Sequence, residues 1–96
     1  MALKTKTWDA AEALKSPEAI AAYVEAAFED GDPALIAAAL GDVARAKGMS
    51  EMARQSGVSR ETLYKSFSEN GNPTLETLTA VIHSLGLKLS VTTVHS

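Results

Sequence analysis

Apolar positions recur along most of this chain at helical spacing, and the breaks between them are punctuated by caps. After Ser16-Pro17, Ile20, Val24, Ala27 and Phe28 fall at i, i+4, i+7 and i+8, one stripe of an amphipathic helix that Glu29-Asp30-Gly31 ends. Ser16 is placed to cap that helix, and Pro17 fills its first position, where a missing N–H costs nothing. Asp32-Pro33 repeats the device for a second helix whose expected buried face is Leu35, Ile36, Ala39, Leu40 and Val43, with Gly48 as its stop. Two short helices follow. Ser50 is the expected cap of the first, which runs to Ser56 and stops at Gly57; Ser59 caps the second, which runs to about Phe67. Glu69-Asn70-Gly71-Asn72-Pro73 is a loop of strong turn formers. Thr74 then caps a last helix carrying Leu75, Leu78, Val81, Ile82 and Leu85, which Gly86 ends. Leu87-Lys88-Leu89-Ser90-Val91 alternates apolar and polar with period two, which predicts a short C-terminal β-strand. At the other end, residues 8–14 predict a short turn or helix with Asp9 as its cap.

Composition agrees with this pattern and narrows it. The 96 residues are 46% hydrophobic, but 17 of them are alanine, the best helix former, so the larger apolar side chains suffice for one small core. The expected fold is all-α: a bundle of about five helices in a single domain, 1–96. Within it, 8–31 form an N-terminal helical extension, 32–86 the core, and 87–94 a strand or tail. The absence of cysteine excludes disulfides, Cys-ligated zinc and thiol nucleophiles. Residues 1–9 carry two lysines and no apolar run, so they are not a secretory signal. No stretch approaches the roughly 18–20 apolar residues that span a bilayer. A cytoplasmic protein with no membrane partner is the expectation.

The segment 49–67, MSEMARQSGVSRETLYKSF, carries the candidate chemistry. Its two short helices share a turn of about three residues, Gly57-Val58-Ser59. Small Ala53 permits a close steep approach, and Gly57 supplies the positive φ that the sharp turn needs. This A-x3-G-V-S spacing, with N-G-N-P-T-L-E-T-L-x6-L-G-L downstream, resembles the helix-turn-helix of the lambda-repressor-like (Xre/Cro) DNA-binding family. Residues 32–50, together with Asp9-Ala-Ala-Glu12, Ser16-Pro-Glu-Ala-Ile-Ala-Ala-Tyr23 and the Leu-Gly-Leu-Lys-Leu that ends at Leu89, are similar to addiction-module antidotes of the HigA-like type. The likeness covers roughly 8–92. It implies an antitoxin that neutralises a RelE/HigB-like ribonuclease toxin and represses their shared promoter. In one respect the chain departs from the pattern: many such domains begin the first motif helix with Thr-Gln, the Gln reaching a phosphate, whereas Met49 stands four residues before Ala53. Ser50 and its neighbouring N–H groups are left as the candidate phosphate contact there.

In a helix-turn-helix the N-terminal half of the second helix enters the major groove, so its exposed positions meet base edges. These are Ser59, Arg60, Glu61, Thr62 and, a turn later, Lys65. The fork of Arg60 fits guanine O6/N7, Glu61 could accept from cytosine N4, and Thr62 could touch a thymine methyl. Tyr64 could pack partly against the domain and reach a backbone phosphate through its hydroxyl, and Asn70 and Asn72 are candidate phosphate binders in the next loop. Each has a plainer reading: Arg60 and Lys65 as solvated charges, Glu61 as a favourable helix-dipole residue. Met49 and Met52 read as core fillers, Tyr23 and Phe28 as core or dimer contacts, and Trp8 as a core-edge or interface residue. His83 and His95 have no companion at metal-ligand spacing, so no metal or other cofactor is expected. No G-x-S-x-G, P-loop or H-E-x-x-H occurs, and the mid-helix Gly41-Asp42 suggests close helix packing, so no enzyme is expected.

Net charge of −3 argues at first against a nucleic-acid partner, since affinity for phosphates comes largely from Lys and Arg. Its distribution alters that inference. Residues 1–32 hold three lysines against seven carboxylates, whereas 45–65 hold Arg45, Lys47, Arg54, Arg60 and Lys65 against only Glu51 and Glu61. The expected partners are therefore an operator duplex on the basic segment, a basic toxin on the acidic one, and a second copy joined through the last helix and residues 87–94. Two alternatives stand beside this: a phage-type repressor with no toxin, and an interaction module whose helix-turn-helix is not used on DNA.

Overall fold

Five helices account for the regular structure of the computed structural model, which describes residues 14–94. They are α1 (Pro17–Asp30), α2 (Pro33–Lys47), α3 (Met49–Ser56), α4 (Arg60–Ser66) and α5 (Leu75–Ser84). The turn or helix expected at 8–14, with Trp8 and Asp9, lies outside the described residues except for Leu14, which is buried; His95 also lies outside them. Four of the predicted side-chain caps form. Ser16 accepts from the Ala19 N–H at 3.0 Å, Asp32 from Ala34 at 3.0 Å, Ser59 from Thr62 at 3.1 Å, and Thr74 from Thr77 at 3.1 Å. Each satisfies one of the N–H groups that a helix start leaves without an intrahelical partner.

The fifth cap predicted within the described residues, Ser50, does not form. α3 begins one residue earlier, at Met49, and Gly48 at its N-cap has no side chain to offer. Gly48 serves two helices at once. Its N–H closes α2 on the Ala44 and Arg45 carbonyls, at 2.8 and 3.2 Å, and its own carbonyl accepts the first α3 bond from Met52 at 2.9 Å. The backbone does this at φ 100°, a region open to glycine and strained for other residues. A junction of one residue leaves no room for a separate capping serine, and Ser50 sits exposed in the first turn of α3.

α2 is the central element. Ala37, Ala39, Leu40, Gly41, Val43 and Ala44 are all buried, so the helix is covered on more than one side, with α1, α3 and α4 packed around it. Leu35, expected on its buried face, is instead 44% exposed. It stands in the first turn, and smaller Ala37 takes the inward position. Gly41 explains how close the packing is: a Cβ there would run into the carbonyl oxygen of Phe67 at the end of α4. The core joins Ile20 and Val24 of α1 to Leu40 and Val43 of α2, Met49 and Met52 of α3, Leu63 and Phe67 around α4, and Val81 and Ile82 of α5. Tyr23 and Phe28 pack against it, half-buried.

The predicted C-terminal strand is absent among the described residues. Leu87 donates its N–H to Ile82 at 3.1 Å, just after Gly86 turns the chain at φ 78°, and beyond it 88–94 runs without a ladder. Alternation of apolar and polar residues does not by itself make a strand, which needs a second strand to bond. Leu87 and Leu89 line a groove of about 290 Å³ against Val24, Phe28 and Ile82, while Val91 and Val94 are more than nine-tenths exposed.

Candidate nucleic-acid interface

The 49–67 segment forms two short helices joined by Gly57, Val58 and Ser59. Gly57 ends α3 in the left-handed region at φ 78°, its N–H bonded to Ala53 at 2.9 Å. Ser59 then opens α4: its hydroxyl accepts from the Thr62 N–H and donates to Thr62 Oγ1 at 2.9 Å. On the inner side of α4, Leu63 is buried, as is Phe67 directly after it; both are 0% exposed. These two anchors fix which side of a helix barely two turns long faces outward. That outer side carries Arg60, Glu61, Tyr64 and Lys65, all exposed, with Thr62 half-buried.

Six of the nine candidate residues thus gather on α4 and its cap. Ser50 stands on a different element, in the first turn of α3, and Asn70 and Asn72 are exposed in the loop before α5. That loop is held against α4: Gly71 donates to Ser68 at 2.9 Å, and a Cβ on Gly71 would meet the Ser66 carbonyl. Asn70 borders a hollow shared with Asp42 and Arg45 of α2, which places it beside a mixed pair of charges. Among the described residues no group of three or more His, Asp or Glu is arranged to hold a metal ion.

Pairing changes the electrostatic count. Arg54 bonds Glu51 one turn back, and Gln55 Nε2 donates to the other Glu51 oxygen at 2.8 Å. Arg45 Nη2 lies 3.0 Å from Asp42 Oδ1. Two of the five cations in 45–65 are therefore matched locally, in exposed pairs of small energetic worth. Lys47, Arg60 and Lys65 have no carboxylate within ion-pair distance among the described residues, and all three are exposed. Arg60 has a different neighbour. Its Cζ lies 5.7 Å from the centroid of the Tyr64 ring.

Sequence reasoning missed two of these features. The Arg60–Tyr64 contact has a legible signal, the i, i+4 spacing that brings side chains together on one helix face. The other has none: Tyr23 of α1 donates its hydroxyl to Asp42 Oδ2 of α2 at 2.7 Å, across 19 positions of sequence. Burial, then the hydrogen bond and the charge of Asp42, push the Tyr23 phenol up to about 12, with Arg45 acting in the opposite direction.

No solved structure matches the chain significantly. An uncharacterized protein of Haemophilus influenzae is 44% identical over 91 residues, spanning 95% of this chain and 94% of the relative. A family model described as "Probable addiction module antidote protein" matches residues 4–93, a span that includes all five helices. The chain belongs to this addiction-module antidote family.

Proposed function

We propose that this chain is a sequence-specific DNA-binding antitoxin that represses its own operon and neutralises a RelE/HigB-like toxin. Membership of an antidote family supports a toxin partner of some kind. The observation that carries the DNA-binding half is α4 itself. It is pinned from behind by Leu63 and Phe67 and presents Arg60 and Lys65 to solvent with no carboxylate among the described residues taking their charge. In this reading α3, α4 and their turn act as a lambda-repressor-like helix-turn-helix, with the N-terminal half of α4 in the major groove. Arg60 reads guanine, Glu61 discriminates at cytosine, and Thr62 meets a thymine methyl. Lys65, Ser50, Asn70 and Asn72 hold phosphates and set the register. Ser59 contributes chiefly by capping, since its hydroxyl is already bonded to Thr62.

The protein works by binding and not by catalysis, in the cytoplasm, as a homodimer that places two α4 helices on a two-fold operator. Exposed Val91 and Val94 on the C-terminal segment support a contact with a second copy there. The toxin is assigned to α1, where Glu18, Glu25, Glu29 and Asp30, with Asp32 just beyond, are all exposed. Such an acidic face would speed association with a basic ribonuclease. That same face is the observation favouring the second reading, an interaction module that does not use DNA.

Binding of the wild type and of Arg60→Ala to a duplex from the chain's own upstream region separates the two. The first reading expects Arg60→Ala to lose about 1–3 kcal/mol of operator affinity and to relax specificity at one base pair. It also expects the variant to neutralise the product of the adjacent reading frame as well as the wild type does. An upstream duplex bound no better than unrelated DNA would favour the interaction module.

A further inference from the structure

The chain has three arginines, and the structure treats them differently. Arg45 and Arg54 each give N–H donors to a carboxylate one turn back on their own helix, Asp42 and Glu51. Arg60 instead lies over the ring of Tyr64, 5.7 Å from its centroid, inside the range of about 6 Å at which a cation is drawn to an aromatic face. The two kinds of partner leave different chemistry behind. A carboxylate occupies the donors of the guanidinium. An aromatic face attracts the charge and needs none of the five N–H groups.

We propose that Tyr64 is a specificity-determining positioning residue. Its ring holds the Arg60 guanidinium on the outer face of α4, with the hydrogen-bonding fork free for a guanine edge. The inference rests on the DNA-binding reading above and deepens it. Three observations carry it. First, both side chains are exposed, Tyr64 by 48%, so the ring is not needed to fill the core, which Leu63 and Phe67 complete from the opposite side of the helix. Second, Arg60 is the first residue of α4 and Tyr64 is one turn on, so the Tyr64 ring, leaning toward the helix N-terminus as helical side chains do, reaches back to the Arg60 side chain. Third, an unpartnered arginine in that position would sample many rotamers, and ordering it on binding would cost conformational entropy. A ring beneath it removes part of that cost in advance, which is how preorganisation increases affinity for the correct site.

The aromatic ring, and not the phenol hydroxyl, is the working part. Tyr64→Phe keeps the platform. Tyr64→Leu keeps helix propensity and apolar bulk but removes the π-face.

The test is a double-mutant cycle of Arg60→Ala and Tyr64→Leu, with Tyr64→Phe as a third variant. It is read by fluorescence anisotropy on a labelled duplex from the chain's own upstream region and on single base-pair variants of it. The base pair whose discrimination Arg60→Ala abolishes defines the site that Arg60 reads. At that pair Tyr64→Leu is expected to reduce discrimination about two- to five-fold, the worth of an exposed cation–π contact. In the Arg60→Ala background it should have no further effect on that pair. Tyr64→Phe should restore discrimination there, whatever the hydroxyl adds to affinity for all sequences. A merely structural role would lower affinity for every duplex equally and persist without Arg60; either result overturns the proposal. So does full discrimination by Tyr64→Leu while Arg60→Ala loses it, an outcome that leaves the DNA-binding reading intact. If the wild type binds none of the duplexes, both the platform and the reading beneath it fall.

Discussion

Single residues decide how closely these helices approach and how they are tied. Gly41 is buried in mid-α2 against the Phe67 carbonyl, where even a methyl group finds backbone in its way. Gly41→Ala should therefore cost on the order of 1–3 kcal/mol by overpacking, although alanine is the better helix former. Urea denaturation would show it as a lower midpoint; an unchanged or raised midpoint would mean that α2 and the end of α4 are not in contact there. The second residue-scale test is Tyr23. Its phenol is pushed up to about 12 from an ordinary 10, chiefly by burial and then by donation to Asp42. The protonated form is the one the fold prefers. Its contribution is thus present in full below about pH 10 and is lost as the pH rises from about 10 to about 12. Tyrosinate absorbance followed against pH should show a late ionisation in the wild type that Tyr23→Phe removes. Glycine in mid-helix was a readable signal of close packing. The Tyr23–Asp42 bond was not, because partners on separate helices leave no spacing to detect.

At the scale of elements, punctuation proved the most informative part of the sequence. Ser16, Asp32, Ser59 and Thr74 cap the helices they were expected to cap, because a short polar side chain before a helical stripe has a local hydrogen bond to make. The two failures are equally physical. Ser50 lost its place to Gly48, which can end one helix and begin the next within a single residue. Residues 87–91 alternate as a strand does, yet strand formation depends on a partner that sequence periodicity does not supply. Leu35 shows a related limit: a helical stripe predicts a face, but a first-turn residue can project beyond the neighbouring helix. The α3–turn–α4 unit yields its own prediction. Ala53 is half-buried and packs against the core just before the turn at Gly57. Ala53→Leu should cost about 1–3 kcal/mol and loosen α4 relative to α3. Hydrogen exchange would report it as faster exchange of the Leu63 and Phe67 amides than in the wild type, and equal protection would refute it.

Across the whole molecule, the net charge of −3 conceals an uneven distribution. Carboxylates dominate α1 and its end, while the cations of 45–65 left unmatched by local pairs stand at the end of α2 and on α4. Membership of an antidote family implies a toxin partner, and under the proposed function the acidic face meets it while the basic one meets DNA. The outward positions of Arg60, Glu61 and Lys65 were legible from the motif, whereas Thr62, expected to be exposed, is half-buried and Tyr64 is exposed. Which cations are spent on Glu51 and Asp42, and which stay free, required the structure. The central claim is that Arg60 and Lys65 read and hold an operator. It is tested most directly by titrating a labelled duplex of the chain's upstream region with the wild type and with the Arg60→Ala/Lys65→Ala double variant at several salt concentrations. The wild type should bind saturably and weaken as salt rises. The double variant should bind at least ten-fold more weakly, on the order of 1.4 kcal/mol or more, with a shallower salt dependence. Equal affinity and equal salt dependence for the two proteins would contradict the account.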